Sequence, residues 1–349
     1  MSCKHFTNED YNASFSKEYL REEYLNYPPL WVTLGIISAC NYCCEFCSYH
    51  SPDARHISKV FNVRYTMPKE EAFKIIDFLH QGGVPRIHIC ATGEPLLHPD
   101  FFSILDYTIE RYGSVSFQSN FSSRLLEKTD ALQKIRSRQH QISFITTDVM
   151  GNSSIKTNSS TDDLYKTLAI LSDMDIPKLS GNFLLTKSNL PDLEKVIRKI
   201  HAYNLRLNLH VTPIFPHNMN AFTSLGNSWP HGDLQLNSRL QAMAELAREL
   251  NVRIAIPSAT RHRCDVFWKK FQIWPTRNSL PGRNDNIVPH ACNAVVLGDM
   301  ASLGYVFDAP NLMELWNNTH FRNVRRKILA GSAPDAHCAE CPYDICPNA

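Results

Sequence analysis

Cys40, Cys43, Cys44 and Cys47 fall within eight residues, directly after an apolar run at 31–37. Three of them, Cys40, Cys44 and Cys47, stand in the spacing C-x3-C-x2-C. Thiolates are soft ligands that suit zinc and iron–sulfur centres. Three thiolates on one tight loop can hold three irons of a cubane cluster, whereas most iron–sulfur proteins supply four ligands. The remaining iron is then open to a substrate or cofactor. The competing chemistry is a zinc knuckle, because Cys40 and Cys43 also make one C-x2-C pair; zinc loops more often add a second pair or histidines.

Such groups act only where the chain brings them together. Hydrophobic patterning predicts strands at 31–37, 86–91, 114–119, 141–147, 179–185 and 205–212. Helices are expected between and after them, at 67–80, 99–112, 123–137, 161–174, 190–203 and 234–250. Pro68 sits near the first turn of the first helix and Gly82-Gly83 ends it; Thr161 or Asp162 caps the fourth. Six β–α units in succession imply parallel strands with crossover helices. The fold class expected is α/β, a partial (β/α)6 barrel like an incomplete TIM barrel. A further strand fits 252–256, closed by Pro257. Beyond it no β–α repeat continues, and five cysteines accompany one helical stretch at 312–329. The expected domains are an N-terminal arm at 1–30, the barrel at 31–257 and a small cysteine-rich domain at 258–349.

In β/α barrels the reactive groups sit at the carboxyl ends of the strands, where the loops converge. The cysteine loop begins where strand one ends. Strand two is followed by Thr92, Gly93, Glu94, Pro95 and His98, strand three by Ser119 and Asn120, and strand four ends in Thr146, Thr147 and Asp148. His210 lies near the end of strand six. A cation needs acceptors such as Glu94, Gly93 permits close backbone approach, and Pro95 stiffens the turn. An ordinary β–α turn, and capping at Thr146 and Thr147, are the plainer readings. Cys90, inside strand two, reads first as core packing, with a hydrogen-donor role as the alternative. Asp148 and His210 are the other weak catalytic candidates.

The cysteine spacing, with Asn41 after the first cysteine and Phe46 before the last, resembles the signature of the radical S-adenosylmethionine (radical SAM) superfamily. Thr92-Gly93-Glu94-Pro95 resembles its Gly-Gly-Glu-Pro motif, with Thr in place of the first Gly. Ser119-Asn120 stands where the family often has Thr-Asn-Gly, with Phe121 in place of the glycine, and Thr146, Thr147 and Asp148 resemble its Ser-x-Asp. The resemblance implies a [4Fe–4S] cluster on Cys40, Cys44 and Cys47, with S-adenosyl-L-methionine on the open iron. Phe46 would lie beside the adenine, Thr92, Gly93, Glu94 and Pro95 would receive the SAM amino group, and Ser119, Asn120, Thr146 and Thr147 would contact the remainder. An electron from a flavodoxin- or ferredoxin-like donor would cleave SAM to methionine and a 5′-deoxyadenosyl radical, which abstracts hydrogen from a substrate. The C-terminal cysteines resemble the SPASM or shorter twitch extension, which implies one auxiliary [4Fe–4S] cluster. Its expected ligands are Cys292, Cys338 and Cys341, with Cys264 as the fourth and Cys346 as its rival. A zinc ribbon is the alternative for these cysteines.

The bulk composition narrows the remaining choices. With 349 residues, 43% hydrophobic, 20% charged and a net charge of +2, the chain reads as an ordinary globular protein without an electrostatic case for nucleic acid or a membrane surface. No signal peptide or membrane span is visible, so a cytoplasmic location is expected, where clustered cysteines read as metal or redox sites. A small-molecule substrate such as a sugar, aminocyclitol or natural-product intermediate is expected, undergoing oxidation, epimerisation or bond formation. The N-terminal arm is too short for the leader-binding domain that peptide maturases often carry. Modification of a peptide or protein side chain is the alternative, and a non-catalytic zinc or redox-sensing protein the third.

Overall fold

A computed structural model describes residues 22–47, 50, 65–90, 93–122, 125–126, 130–150, 161–186, 188–213, 233–257, 266–275, 287–290 and 306–333. The strands are β1 (Trp31–Leu34), β2 (Ile87–Ile89), β3 (Val115–Gln118), β4 (Ile142–Asp148), β5 (Leu179–Leu185), β6 (Asn208–Pro213), β7 (Arg253–Ala255), β8 (Lys270–Pro275) and β9 (Ile287–His290). The helices are α1 (Lys69–Gln81), α2 (Phe101–Tyr112), α3 (Ala131–Arg136), α4 (Thr161–Ser172), α5 (Leu190–Ala202), α6 (Leu234–Glu249), α7 (Val266–Lys269), α8 (Leu312–Trp316) and α9 (Thr319–Leu329). Among the described residues one sheet contains all nine strands, in the order β7-β6-β5-β4-β3-β2-β1-β8-β9. Every pairing from β7 to β8 is parallel, and β8–β9 is antiparallel.

From β1 to β7 each strand is laid beside its predecessor in a single direction. Right-handed crossovers then carry the helices to one face, which is the winding of a barrel, and the sheet stays open as the six-unit pattern implied. Pro68 precedes α1 directly, and Gly113, in the left-handed conformation at φ 72°, ends α2. The predicted helix at 312–329 is two helices: Asn318 accepts the N–H of Phe321 at 3.0 Å and so caps a new start.

Side chains alternate between the two faces because a strand repeats every second residue. One face carries Val32, Leu34, Ile87, Ile89, Phe117, Ile145, Phe183, Leu209, Phe271 and Ile273, all buried in a single apolar cluster with the inward residues of the helices. The opposite face is polar. Across β3, β4, β5 and β6 it reads Gln118, Thr146, Ser180 and Asn208 in register, and one step nearer the strands' carboxyl ends Asp148, Asn182 and His210.

β8 falls in the region where the sequence shows no β–α repeat. It nevertheless pairs with β1, Val32 opposite Phe271 and Leu34 opposite Ile273. Both of those β8 residues are buried, so β1 has a neighbour on each side. The described end of the N-terminal arm is tied to the same region. Leu25 donates its N–H to Asn317 Oδ1 at 2.7 Å and accepts from Asn317 Nδ2 at 2.8 Å. Arg325, fully buried, donates to the carbonyls of Phe267, Glu23 and Trp316 and stacks on the Trp316 ring.

Candidate functional site

The cysteine loop leaves the end of β1 through Ile36–Ala39 and turns at Cys44–Cys47, where the Cys47 N–H donates to the Cys44 carbonyl at 3.0 Å. Cys40, Cys44 and Cys47 are half-buried and Cys43 is exposed, and none of them is in a disulfide. The Tyr42 N–H reaches Cys40 Sγ at 3.5 Å. Burial, together with the charges of Glu94 and Cys47, pushes the Cys40 thiol up to about 12. It therefore ionises at neutral pH only with a cation beside it, and a bound metal deprotonates a coordinating thiol outright. Phe46 packs partly buried against the apolar core.

The turn after β2 is fastened to this loop. Glu94 donates its N–H to the Ala39 carbonyl at 2.8 Å. A Cβ on Gly93 would lie 2.0 Å from that carbonyl oxygen and 2.7 Å from the Ser38 carbonyl carbon, so only glycine lets the two backbones touch. Pro95 is buried in a single 3-10 turn, Pro95–Leu97, begun by the Glu94 side chain accepting from the Leu96 N–H.

The Glu94 carboxylate is buried and also spans to β3. It accepts the Ser119 hydroxyl at 2.7 Å and the Asn120 N–H at 2.7 Å. Asn120 in turn donates to Asn41 Oδ1 at 2.9 Å, and Asn41 donates to Ser122 Oγ at 2.7 Å. The ends of β1, β2 and β3 are thus one hydrogen-bonded unit. Phe121 adopts φ 47° with its ring buried. The backbone there has the left-handed shape that a glycine would adopt freely.

Other sequence candidates separate by face. Thr146 and Asp148 lie on the polar face, and Asp148 Oδ1 accepts the Met150 N–H at 2.8 Å. Thr147, between them, points to the helix side and is buried. His98 is occupied at both nitrogens, donating from Nε2 to the Met67 carbonyl at 2.7 Å and accepting the Asp100 N–H at Nδ1 at 3.0 Å. Burial also lowers its pKa, so it holds the turn to the start of α1 as a neutral ring. Cys90 donates to Gln118 Oε1 at 3.5 Å, and burial raises its pKa to about 12, which keeps it a thiol. His210 is half-buried, with its pKa lowered by burial and then by Lys178. Thr92, Cys264, Cys292, Cys338, Cys341 and Cys346 lie outside the described residues.

Asn41 belongs to the cysteine motif, whereas Ser122, its hydrogen-bond partner, is not marked by that spacing. Its signal was faint: one hydroxyl two places after Asn120.

Among the described residues no three His, Cys, Asp or Glu side chains converge on a single metal ion. A lone zinc needs its thiolates at roughly 2.3 Å from one centre, whereas a cubane takes each thiolate on a separate iron. Three half-buried thiols on one turn, beside an exposed fourth, are a donor set that fits the cluster.

Residues 34–200 match the family model of the Radical SAM superfamily. Among solved structures, the chain resembles SuiB from Streptococcus suis at 14% identity and a TM-score of 0.66, covering 97% of this chain and 77% of that one. SuiB bound to the precursor peptide SuiA gives the same TM-score and identity, over 98% and 77%. BtrN in complex with AdoMet and 2-DOIA aligns at 14% identity and a TM-score of 0.47, over 93% and 94%. No curated protein matches the sequence. The family match spans 34–200, and the likeness to SuiB shows a shared fold. Among the described residues no helix is long and apolar enough to cross a membrane.

Proposed function

We propose that the chain is a radical SAM enzyme whose Cys40, Cys44 and Cys47 hold a [4Fe–4S] cluster with one iron left for SAM. The observation that supports this most is the fastening of three strand ends into one unit, Ala39 to Glu94 to Ser119 and Asn120 to Asn41. Bound together, such a cluster and SAM supply one-electron cleavage to methionine and a 5′-deoxyadenosyl radical that takes a hydrogen atom from a substrate.

The chain's own residues do the positioning. Glu94 spends its carboxylate on Leu96, Ser119 and Asn120, so it acts by fixing the loops and offers its backbone carbonyl side of the turn to the SAM amino group. Gly93 keeps that turn against the cysteine loop, and Asn41 with Asn120 orients the rim. Phe46 offers an aromatic edge for the adenine, and Thr92, Pro95 and Thr146 complete the proposed surround. Thr147 contributes from the second layer.

The substrate on this reading is a small molecule, processed by oxidation, epimerisation or bond formation in a cytoplasmic enzyme fed by a flavodoxin- or ferredoxin-like donor. Cys292, Cys338 and Cys341, with Cys264 or Cys346, would hold an auxiliary cluster in a domain at 258–349. A peptide substrate, the kind named in the SuiB–SuiA structure, is the rival reading.

Anaerobic reconstitution tests the proposal. About eight irons per chain are expected if both four-iron clusters form. Dithionite and SAM should then release 5′-deoxyadenosine from the wild type and none from Cys44→Ala. Equal release from both chains overturns the assignment.

A further inference from the structure

We infer that His98 is a positioning residue of the cysteine loop: its ring clamps the neck through which that loop leaves and rejoins the barrel, and so limits how far Cys40, Cys44 and Cys47 can move apart. That these thiols carry a cluster is the reading proposed above; how the neck is tied does not depend on it.

The cysteines stand on a long excursion of the chain between β1 and α1. Its outgoing limb is 36–39 and its returning limb 65–67, and the two limbs are bonded to each other. Ser38 donates its N–H to the Tyr65 carbonyl at 2.9 Å, Met67 donates its N–H to the Ile36 carbonyl at 2.8 Å, and Ile37 pairs with Thr66 in an antiparallel bridge. The Ser38 hydroxyl adds a further tie by accepting the Tyr65 N–H at 2.9 Å. Closing a loop removes chain entropy, so a tight neck restricts everything carried beyond it.

The outgoing limb is also held by the turn after β2, through the Glu94 N–H on the Ala39 carbonyl at 2.8 Å. His98 ends that same turn, where its N–H donates to the Pro95 carbonyl at 2.9 Å. Its ring then reaches the returning limb. Nδ1 accepts the Asp100 N–H at 3.0 Å, so Nε2 carries the proton and donates it to the Met67 carbonyl at 2.7 Å. A closed circuit results, from Ala39 through Glu94 and His98 to Met67, then to Ile36 and back along the chain. Every other hydrogen bond in it is backbone to backbone, so His98 is where a side-chain substitution cuts it. His98 is 3% exposed and Met67 0%, and a buried carbonyl that loses its donor there finds no water to replace it.

A histidine that served only the general fold would affect every thiol of the region. A clamp on the neck affects Cys40, Cys44 and Cys47 and spares Cys90, which follows β2 and is fixed by its own N–H on the Leu34 carbonyl at 3.2 Å.

The test is alkylation of individual cysteines by iodoacetamide in the full-length chain, reduced and metal-free, read by peptide mass spectrometry. Half-buried thiols react from locally opened states, so the rate reports how often the loop opens. Three variants separate the two ring nitrogens. His98→Gln keeps a donor at the reach of Nε2, His98→Asn keeps only an acceptor at the reach of Nδ1, and His98→Leu keeps neither. With the thermal transition intact, His98→Asn and His98→Leu should raise labelling of the three loop thiols about tenfold and leave Cys90 unchanged, whereas His98→Gln should stay within about twofold of the wild type. In the reconstituted protein the same order should appear in the rate at which bathophenanthroline disulfonate strips iron. Equal labelling in all four chains, an equal rise at Cys90, or faster labelling in His98→Gln than in His98→Asn overturns the inference. So does loss of the thermal transition in both His98→Asn and His98→Leu, which would make His98 a residue of the fold alone. Should the wild type take up no iron, the cluster reading falls and the alkylation result stands.

Discussion

Glu94 donates its backbone N–H to the carbonyl of Ala39 at 2.8 Å, so the turn after β2 is bonded to the residue directly before Cys40. Loop and turn cannot move apart without breaking that bond, and Gly93 is what allows it to form. Everything proposed for the cluster loop depends on this contact.

Gly93→Ala should therefore be damaging out of proportion to its size. The added carbon would sit 2.0 Å from a backbone oxygen and 2.6 Å from the Ala39 carbonyl carbon, neither of which can rotate away. Overpacking of this kind costs about 1–3 kcal/mol, and the Glu94–Ala39 bond should open. The expected readouts are a lowered melting temperature and reduced iron retention at the first cluster after reconstitution. Normal iron content in this variant would show that the contact does not position the loop.

Phe121 poses two opposed effects whose magnitudes decide the outcome. A left-handed backbone costs a non-glycine residue roughly 1–2 kcal/mol, which Phe121→Gly would relieve. The same change removes a fully buried aromatic ring that packs toward Phe117, at a cost of about 3–5 kcal/mol. Net destabilisation of about 1–4 kcal/mol is expected from urea unfolding. A more stable glycine variant would mean that backbone strain outweighs packing.

Arg325→Lys should be far from conservative. The guanidinium donates to Phe267 O at 2.8 Å, Trp316 O at 2.9 Å, Glu23 O at 3.0 Å and Asn317 Oδ1 at 3.2 Å. A single ammonium cannot span those acceptors, and it loses the flat stack on Trp316. Burial lowers the arginine pKa to about 9, which still leaves it charged at neutral pH. Leaving buried carbonyls unmatched should cost about 2–4 kcal/mol. Proteolysis near the N-terminal arm, followed by mass spectrometry, should report its release.

Acid should weaken the fold through His88. Burial first, and then Lys270, hold its pKa at about 4, against about 6.5 in an unfolded chain. Below pH 6.5 the unfolded state takes up a proton that the folded state refuses. The contribution is complete above the unfolded value and is lost as pH falls toward about 4, by roughly 1–2 kcal/mol at pH 5. Stability measured between pH 7.5 and 5 should decline, and His88→Gln should flatten part of that decline. An unchanged slope would assign the decline to other groups.

Much of this was written in local chain chemistry. The spacing of Cys40, Cys44 and Cys47 is a property of one loop, and the alternation of apolar runs with amphipathic segments is a short-range periodicity. The same is true of Gly93-Glu94-Pro95 after a strand. These depend on neighbours in sequence, so they were legible without coordinates, as was the open parallel winding.

What needed the tertiary structure depends on which residues become neighbours across the sheet. No periodicity in 266–275 announces that Lys270–Pro275 pairs with β1, because that pairing joins strands more than two hundred residues apart. The direction of the Glu94 carboxylate, toward Ser119 and Asn120, follows from the register of β2 against β3. Likewise, Ser180 looks like an ordinary small residue in the sequence. Only its alignment with Thr146 and Asn208 places it in a polar row. Local sequence determined which groups the chain carries and on which elements; strand register decided which of them meet.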